Sequence, residues 1–322
     1  MRKDQAFVDK YKKDASFENV LQSLNKNLQI SEKTLYQDFP ENYSSIHIVG
    51  SPRSGTTLLN QLISSCLDVG YINNFIATFY QAPVHGITLS KKLLGINYPS
   101  SFYSDFGKTQ SIYEPHEFGY FWSDLLKYPE VAQMPPEHNQ AINWAQIRLT
   151  LLNMCQAFGS SVAFKSLYLG WHMESVVQHL PKTLFIYIER DVIENALSLL
   201  RIRQKYFGTI DEWASIKPLG YESLLKKSPH EQVLEQVQQL NSSYSQQLAL
   251  LQEKNKLSIN YQDLCENPEQ LLSNIIAKLD LLGVKQSIYQ SPPGAFSEQV
   301  TNVNDPDYQL LQGLRNKGIC DT

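Results

Sequence analysis

The stretch Ile46-His-Ile-Val-Gly-Ser-Pro-Arg-Ser-Gly-Thr-Thr-Leu-Leu59 decides the fold of this chain. A short apolar run ends at Val49, a loop begins with Gly50, and a helical pattern of leucines opens at Thr56. The order is strand, glycine loop, helix. Such a loop turns its backbone N–H groups toward phosphate-like oxygens, and the N-terminus of the following helix adds about half a positive charge. The stretch therefore predicts an anion-binding loop at the end of a strand.

The side chains of this loop indicate which kind of anion it binds. Gly50 and Gly55 have the spacing of a Walker A loop, but Thr56 stands where that loop carries its lysine. A nucleoside-triphosphatase would lack its main cation here. Arg53 supplies positive charge from inside the loop instead, and hydroxyl groups add further donors at Ser54, Thr56 and Thr57. The loop favours a phosphate-like ligand held by an arginine and by hydroxyl groups.

Further apolar runs predict the rest of the sheet. Strands are expected at 162–165, 184–188 and 257–261, and a helical pattern follows each of them. Strand-then-helix units with continuously apolar strands favour a parallel sheet that is covered on both faces. The predicted fold class is α/β, a P-loop-like three-layer fold with a central parallel sheet flanked by helices. Ligands then bind at the carboxyl ends of the strands.

The 322 residues are expected to form a single domain over 1–322, because low-complexity linkers and repeats are absent from the sequence. An aromatic-rich insertion at about 67–160 is predicted to shape a pocket, and a helical C-terminal part follows at about 228–322. An amphipathic helix over 15–29 is expected to lay its apolar residues on the core, among them Phe17 and Val20.

Composition excludes several classes of protein. The formal net charge of −4 gives no general basic excess for holding nucleic acid, so no nucleic-acid partner is expected. The 4 cysteines lack the spacing of a zinc module or a disulfide framework. No run of about 18 apolar residues predicts a transmembrane segment, and the N-terminus lacks a secretory core. We expect a cytoplasmic protein, with a removed targeting or membrane segment as the alternative.

A second charged loop follows the predicted strand 184–188. Arg190 leaves the end of this strand, Ser198 follows eight positions later, and Arg201 adds charge nearby. An arginine fork with a serine hydroxyl suits a terminal phosphate monoester. The alternative is a solvated helix face with surface ion pairs. Two anion sites after two strands of one sheet would fit a nucleotide that is charged at both ends of its ribose.

This pair of sites resembles the signature of sulfotransferases that use 3′-phosphoadenosine 5′-phosphosulfate. The stretch Pro52-Arg-Ser-Gly-Thr-Thr57 is similar to their 5′-phosphosulfate loop, and Arg190 with Ser198 is similar to their 3′-phosphate motif. The arginine in the loop and the two leucines after it resemble the bacterial, Golgi and tyrosylprotein branches. The resemblance implies this nucleotide as co-substrate and requires no metal ion.

The resemblance also implies roles for residues elsewhere in the chain. Lys165 lies where family members carry a lysine that stabilises charge on the oxygen bridging phosphate and sulfate, a role that Arg53 would share. Tyr261 would contact the nucleotide. The segment Arg315-Asn-Lys317 resembles a phosphate clamp more weakly.

The general base is left open among three residues. Leu167 stands where the cytosolic branch carries its catalytic histidine, so the base must come from elsewhere. Proton acceptors are concentrated in the insertion, at Glu114, His116 and Glu117. An ordinary polar turn is the alternative for this segment.

The expected reaction is sulfuryl transfer to a hydroxyl group, or less readily an amine, of a carbohydrate, lipid, small molecule or protein tyrosine. The sequence does not choose among these acceptors. A P-loop kinase or nucleoside-triphosphatase, or a nucleotide-binding protein without catalysis, are the alternatives.

Overall fold

A computed structural model describes residues 7–95, 100–297 and 301–318. In this part of the chain the central sheet has five strands, all parallel, in the order β2-β3-β1-β4-β5. The strands are β1 (Ser45–Val49), β2 (Gly70–Tyr71), β3 (Val162–Lys165), β4 (Leu184–Glu189) and β5 (Lys256–Asn260). The predicted fold class is confirmed.

Helices cover both faces of the sheet because its side chains alternate between two cores. Ile46 and Ile48 of β1 join one apolar cluster with α2 and α11, whereas Val49 belongs to the cluster on the other face with α5 and α9. The helices are α1 (Ala15–Leu35), α2 (Thr56–Cys66), α3 (Pro83–Leu93), α4 (Gly119–Leu125), α5 (Trp144–Phe158), α6 (Met173–His179), α7 (Val192–Phe207), α8 (Tyr221–Leu224), α9 (Pro229–Ala249), α10 (Tyr261–Glu266), α11 (Pro268–Leu281) and α12 (Pro306–Asn316).

The strand register brings the predicted anion loops to one edge of the sheet. Ile48 of β1 is level with Lys165 at the end of β3, and Val49 is level with Tyr187 of β4. The chain leaves β1 directly into the loop that begins at Gly50. All strands run the same way, so the segments that follow β1, β3, β4 and β5 open toward the same space.

The predicted strands are confirmed, because the bounds of β1, β3, β4 and β5 agree with the apolar runs to within one residue. The short edge strand β2 and helix α5 were not predicted. Helix α1 is present, but the prediction of its buried face is wrong, because Phe17 is 53% and Val20 is 62% exposed. The single domain over 1–322 stays a prediction.

Polar side chains, rather than the apolar stripe, attach α1 to the rest of the molecule. Buried Asn25 donates to Thr78 O at 2.8 Å and accepts from Gln81 N–H at 2.8 Å. Buried Glu32 accepts from Val84 N–H at 2.7 Å, at the start of α3. The hydrophobic pattern of a helix therefore does not predict which face contacts the protein when polar side chains make that contact.

One strand carries a titratable side chain in the middle of the core. His47 of β1 stacks between Phe164 and Phe185, each at 5.2 Å between ring centroids. Within the described residues neither ring nitrogen has a hydrogen-bond partner, and burial lowers the pKa of His47 to about 3. The ring is neutral in the folded protein.

The cysteines at 66, 155 and 265 are buried, while Cys320 lies outside the described residues. Every helix in the described ranges is too short or too polar to cross a membrane.

Candidate active site

A cavity of about 510 Å³ opens at the carboxyl edge of the sheet. The loop after β1, the ends of β3 and β4, and the first residue of α10 form its floor. Residues 102–108 of the predicted insertion and the last turn of α7 form its sides. The cavity therefore lies where the parallel sheet predicts a ligand site.

The floor begins with a loop that approaches its neighbours closely. Gly55 has φ 106°, and a Cβ at this position would lie 2.5 Å from Cδ2 of Tyr261. Arg53 also has a left-handed φ of 76°, which is uncommon for a residue with a side chain. No side chain of the described residues caps the first turn of α2, so its backbone N–H groups face the cavity with the positive end of the helix dipole.

Lys165 joins the loop to the insertion. Its buried Nζ donates to Thr57 Oγ1 at 2.8 Å and pairs with Glu117 Oε1 at 2.8 Å. The tip of the insertion comes to the same point, because a Cβ on Gly107 would lie 3.3 Å from an Arg53 guanidinium nitrogen and 3.8 Å from Lys165 Nζ. Two cations and a hydroxyl therefore converge on one point of the cavity.

A third cation, Arg190, follows the end of β4. The Arg190 side chain is 6% exposed, its Nε pairs with Glu194 at 3.1 Å, and its guanidinium lies 4.6 Å from the ring centroid of Tyr261. Arg53 Nε donates to Ser198 Oγ at 3.1 Å, which ties the first anion loop to helix α7. Burial lowers the pKa of Arg53, but an arginine stays charged at neutral pH. Arg53 and Arg190 thus line the same cavity, whereas Ser198 is buried behind Arg53 and does not line it.

The structure separates the three candidate bases. Glu114 is buried away from the cavity and accepts hydrogen bonds from Gln61 Nε2 and from both Ser100 and Ser101. His116 Nδ1 accepts from Phe118 N–H at 2.9 Å, so the neutral ring carries its proton on Nε2 and has no lone pair to offer there. Glu117 lines the cavity, with its side chain 48% exposed.

Other predicted residues lie outside the cavity lining. Arg201 is half-exposed and pairs with Asp305 at 3.1 Å. Arg315 pairs with Asp191 at 3.2 Å, at the N-cap of α7, and Lys317 is exposed. Both arginines attach α12 to α7. Among the predicted loop residues, Ser54 is buried beneath the loop and does not line the cavity either.

The profile of the Sulfotransferase family matches residues 45–282, which include every strand of the sheet and both anion loops. The chain belongs to the sulfotransferase family. The resemblance found in the sequence is confirmed, and the branch within the family stays a prediction. Among curated protein sequences no significant match is found.

Solved sulfotransferase structures resemble this sulfotransferase at low sequence identity. The enzyme from Alicyclobacillus acidocaldarius is 14% identical, over 85% of this chain and 92% of that one, with a TM-score of 0.43. A sulfotransferase from Mycobacterium avium is 12% identical, over 91% and 72%, with a TM-score of 0.45. The sulfotransferase domain from the curacin biosynthetic pathway is 15% identical, over 86% and 99%, with a TM-score of 0.42.

Sequence reasoning missed a hairpin that covers the cavity of this sulfotransferase. Asp105 and Lys108 exchange both backbone hydrogen bonds, at 2.8 and 3.1 Å, around Phe106 and Gly107. Both central residues have positive φ, 50° and 87°, as a two-residue turn of this hand requires. The turn has glycine at its second central position, but phenylalanine at the first hides the usual signal of Asn-Gly or Asp-Gly.

Proposed function

We propose that this sulfotransferase moves the sulfuryl group of 3′-phosphoadenosine 5′-phosphosulfate to a hydroxyl group of an acceptor. The observation that carries the proposal is the convergence of Arg53, Thr57 and Lys165 beside the uncapped start of α2. A phosphosulfate needs such a site, because its oxygens carry charge on both sides of the bond that breaks. Glu117 lies against the same cations.

The donor would lie along the floor of the cavity. Backbone N–H groups of Gly55 to Thr57 and the hydroxyl of Thr57 would hold the 5′-phosphosulfate. Arg190 would hold the 3′-phosphate together with Ser198, which is 7% exposed and within 3.1 Å of Arg53 Nε. The Glu194 carboxylate must then move away from Arg190 or share its guanidinium with the phosphate, because the two anions repel each other.

In the transfer step the acceptor oxygen forms a bond to sulfur while the bond from sulfur to the bridging oxygen breaks. The acceptor proton passes to the Glu117 carboxylate, and the bridging oxygen leaves on 3′-phosphoadenosine 5′-phosphate. Lys165 and Arg53 stabilise the charge that develops on this oxygen. Catalysis is then mainly alignment and electrostatics, as in phosphoryl transfer.

Calorimetric titration with the product nucleotide, 3′-phosphoadenosine 5′-phosphate, tests the donor. We expect binding without added metal that is at least about a hundredfold tighter than that of adenosine 5′-phosphate, because each nucleotide phosphate meets its own arginine. Equal affinity for the two nucleotides would refute the 3′-phosphate site. Tighter binding of ATP with magnesium would favour a kinase, a reading that Thr56 in place of the loop lysine opposes.

A further inference from the structure

The cavity has two apolar walls, which belong to different packing clusters. One wall consists of side chains that pack on the core of the sheet, at Leu58, Phe102, Tyr261 and Phe296. The other wall belongs to a separate small cluster, and we call it the acceptor chamber: Phe106, Ile202, Tyr206, Phe207 and Ala214. Both walls are accessible from the same cavity.

The first wall belongs to the donor. Tyr261 lies directly over Gly55 of the anion loop and under the guanidinium of Arg190. A nucleotide that reaches from this loop to Arg190 must therefore pass along Tyr261. The Phe102 and Phe296 rings, 5.2 Å apart between centroids, are next to it in the same cluster. The acceptor chamber is left for the second substrate.

The chamber is close to the reacting groups. The guanidinium of Arg53 lies 5.3 Å from the ring centroid of Phe106, and Gly107 of the same hairpin reaches Lys165. A hydroxyl group carried by a ligand in the chamber would therefore lie close to these cations. Transfer requires this proximity between the acceptor oxygen and the groups that hold the sulfuryl group.

The chemistry of the chamber selects the body of the acceptor. The five side chains of the chamber are aromatic or aliphatic, and Lys108 lines the cavity beside them with its Nζ 4.9 Å from the ring centroid of Tyr206. Burial raises the pKa of the Tyr206 hydroxyl to about 12, which keeps it neutral. A sugar would bury several hydroxyl groups there without enough partners, and an ionised ligand would lose its hydration for a contact with Lys108, which already lies over the rings of Tyr11 and Tyr206. Lys205 at the rim already pairs with Asp105.

A segment outside the family match supports the chamber from behind. Val8 N–H donates to Tyr206 O at 2.9 Å, Phe7 packs on Phe207 at 4.7 Å, and Tyr11 packs on Tyr206 at 4.6 Å between ring centroids. The family match begins only at residue 45. The shape of the chamber is thus set partly by residues that the family match does not cover.

On these grounds we infer that the acceptor is an uncharged alcohol or phenol with an apolar body, bound in the acceptor chamber. This inference rests on the proposed function, since it assigns the second substrate of the same site. It excludes sugars and polyanionic acceptors as the preferred class.

Binding to the protein saturated with 3′-phosphoadenosine 5′-phosphate tests the inference without need of turnover. The probes are 2-naphthol, the same ring system with a carboxylate (6-hydroxy-2-naphthoate), and glucose, each titrated by calorimetry. We expect 2-naphthol to bind at least about tenfold tighter than the carboxylate, and glucose to give no measurable binding. Tighter binding of either polar probe, or no binding of 2-naphthol, would overturn the inference.

Two variants locate the bound probe. Phe207→Ala should weaken 2-naphthol binding by about tenfold and leave binding of the product nucleotide within about twofold. The control Leu219→Ala removes a half-exposed leucine that does not line the cavity, and should change neither. An unchanged affinity for 2-naphthol in Phe207→Ala would show that it binds elsewhere. If the wild-type protein fails to bind the nucleotide at all, the proposed function fails, whatever the probes do.

Discussion

The donor end of the cavity and the acceptor chamber are assembled in different ways. At the donor end, each side chain belongs to a segment that directly follows a strand: Arg53 lies in the loop after β1, Arg190 comes next after β4, and Tyr261 comes next after β5. The acceptor chamber combines a hairpin tip with the last turn of α7, and is supported by residues 7–11. The sheet positions the first set directly, whereas the second set depends on packing between segments far apart in the chain.

The difference matters because the reaction takes place between a donor bound at one end of the cavity and an acceptor bound in the chamber. The sheet holds the donor groups at fixed spacing through hydrogen-bonded strands, so the same edge can serve many acceptors. The chamber can change with the hairpin and with α7 while the donor end stays the same. Substitutions at the meeting point should therefore affect chemistry most, and substitutions at either end should affect one ligand.

The largest effect is expected at the proposed base. Glu117→Gln keeps the size of the side chain but removes the proton acceptor, so kcat with an accepted alcohol should fall by about 10³-fold. Initial rates of product-nucleotide formation measure this. Glu130→Gln, which changes an exposed carboxylate paired with Lys217, is the matched control.

Glu114 provides the contrast within the same segment. Glu114→Gln should lower the free energy of unfolding by about 2 kcal/mol, because a buried carboxylate that accepts several hydrogen bonds is replaced by an amide that partly mismatches them. Glu117→Gln should leave the free energy of unfolding nearly unchanged. A kcat for Glu117→Gln within tenfold of wild type would move the base elsewhere.

Lys165→Met comes next, because it keeps the apolar stem and removes the charge at the meeting point. We expect kcat to fall by about 10²-fold to 10³-fold while affinity for the product nucleotide changes by less than about tenfold. Lys217→Met, at an exposed ion pair, serves as control. Turnover close to that of the control would remove Lys165 from the transfer step.

At the donor end, Arg190→Ala should weaken product-nucleotide binding by about fiftyfold and spare adenosine 5′-phosphate, since the proposed binding mode pairs this buried arginine with the 3′-phosphate. Arg201→Ala should weaken it by less than about threefold, because Arg201 points to Asp305 and does not line the cavity. Calorimetry with both nucleotides measures the ratio. Similar losses in the two variants would contradict this placement.

A substitution in the hairpin of Asp105 to Lys108 should have a smaller effect, seen in kcat/KM. Gly107→Ala adds a Cβ about 3.3 Å from Arg53 and 3.4 Å from Thr57 Oγ1, at a φ of 87° that side chains rarely adopt. We expect kcat/KM to fall by about tenfold through a displaced hairpin tip. Gly220→Ala, at an exposed glycine with a similar φ of 79° and no atom within 4 Å of the added Cβ, is the control. A Gly107→Ala enzyme with unchanged kcat/KM would show that the tip is not needed near the cations.

The sequence could predict the donor end because its signals are local. A strand followed by Gly50 and Arg53, and another followed by Arg190, can be recognised within a dozen residues. The sequence cannot choose the base among Glu114, His116 and Glu117. In a segment without regular secondary structure, the orientation of each side chain depends on tertiary contacts that the sequence does not show. The sequence predicts Arg201 to add charge near the phosphate site, but on α7 its side chain pairs with Asp305 at the N-cap of α12 instead.

The chamber escaped prediction for a different reason. Tyr206 and Phe207 continue an ordinary helical pattern, and nothing near them in the sequence indicates that Phe106 and Phe7 will come to the same place. The apolar stripe of α1 predicts the wrong buried face, because two polar residues of this helix, Asn25 and Glu32, make the buried contacts. Long-range packing, which single-sequence patterns do not contain, decides both cases.

His47 beneath the catalytic edge gives this protein a built-in sensitivity to acid. Its pKa of about 3 in the folded state lies below the ordinary 6.5, so between these values the unfolded chain binds the extra proton and stability falls as the pH is lowered. Between pH 8 and pH 6 this amounts to about 0.8 kcal/mol. His47→Phe should lose that part of the pH dependence in urea unfolding, and parallel curves for variant and wild type would contradict it. Acidification thus destabilises the fold around the strand that presents the anion loop, while the arginines and the lysine of the cavity keep their charge.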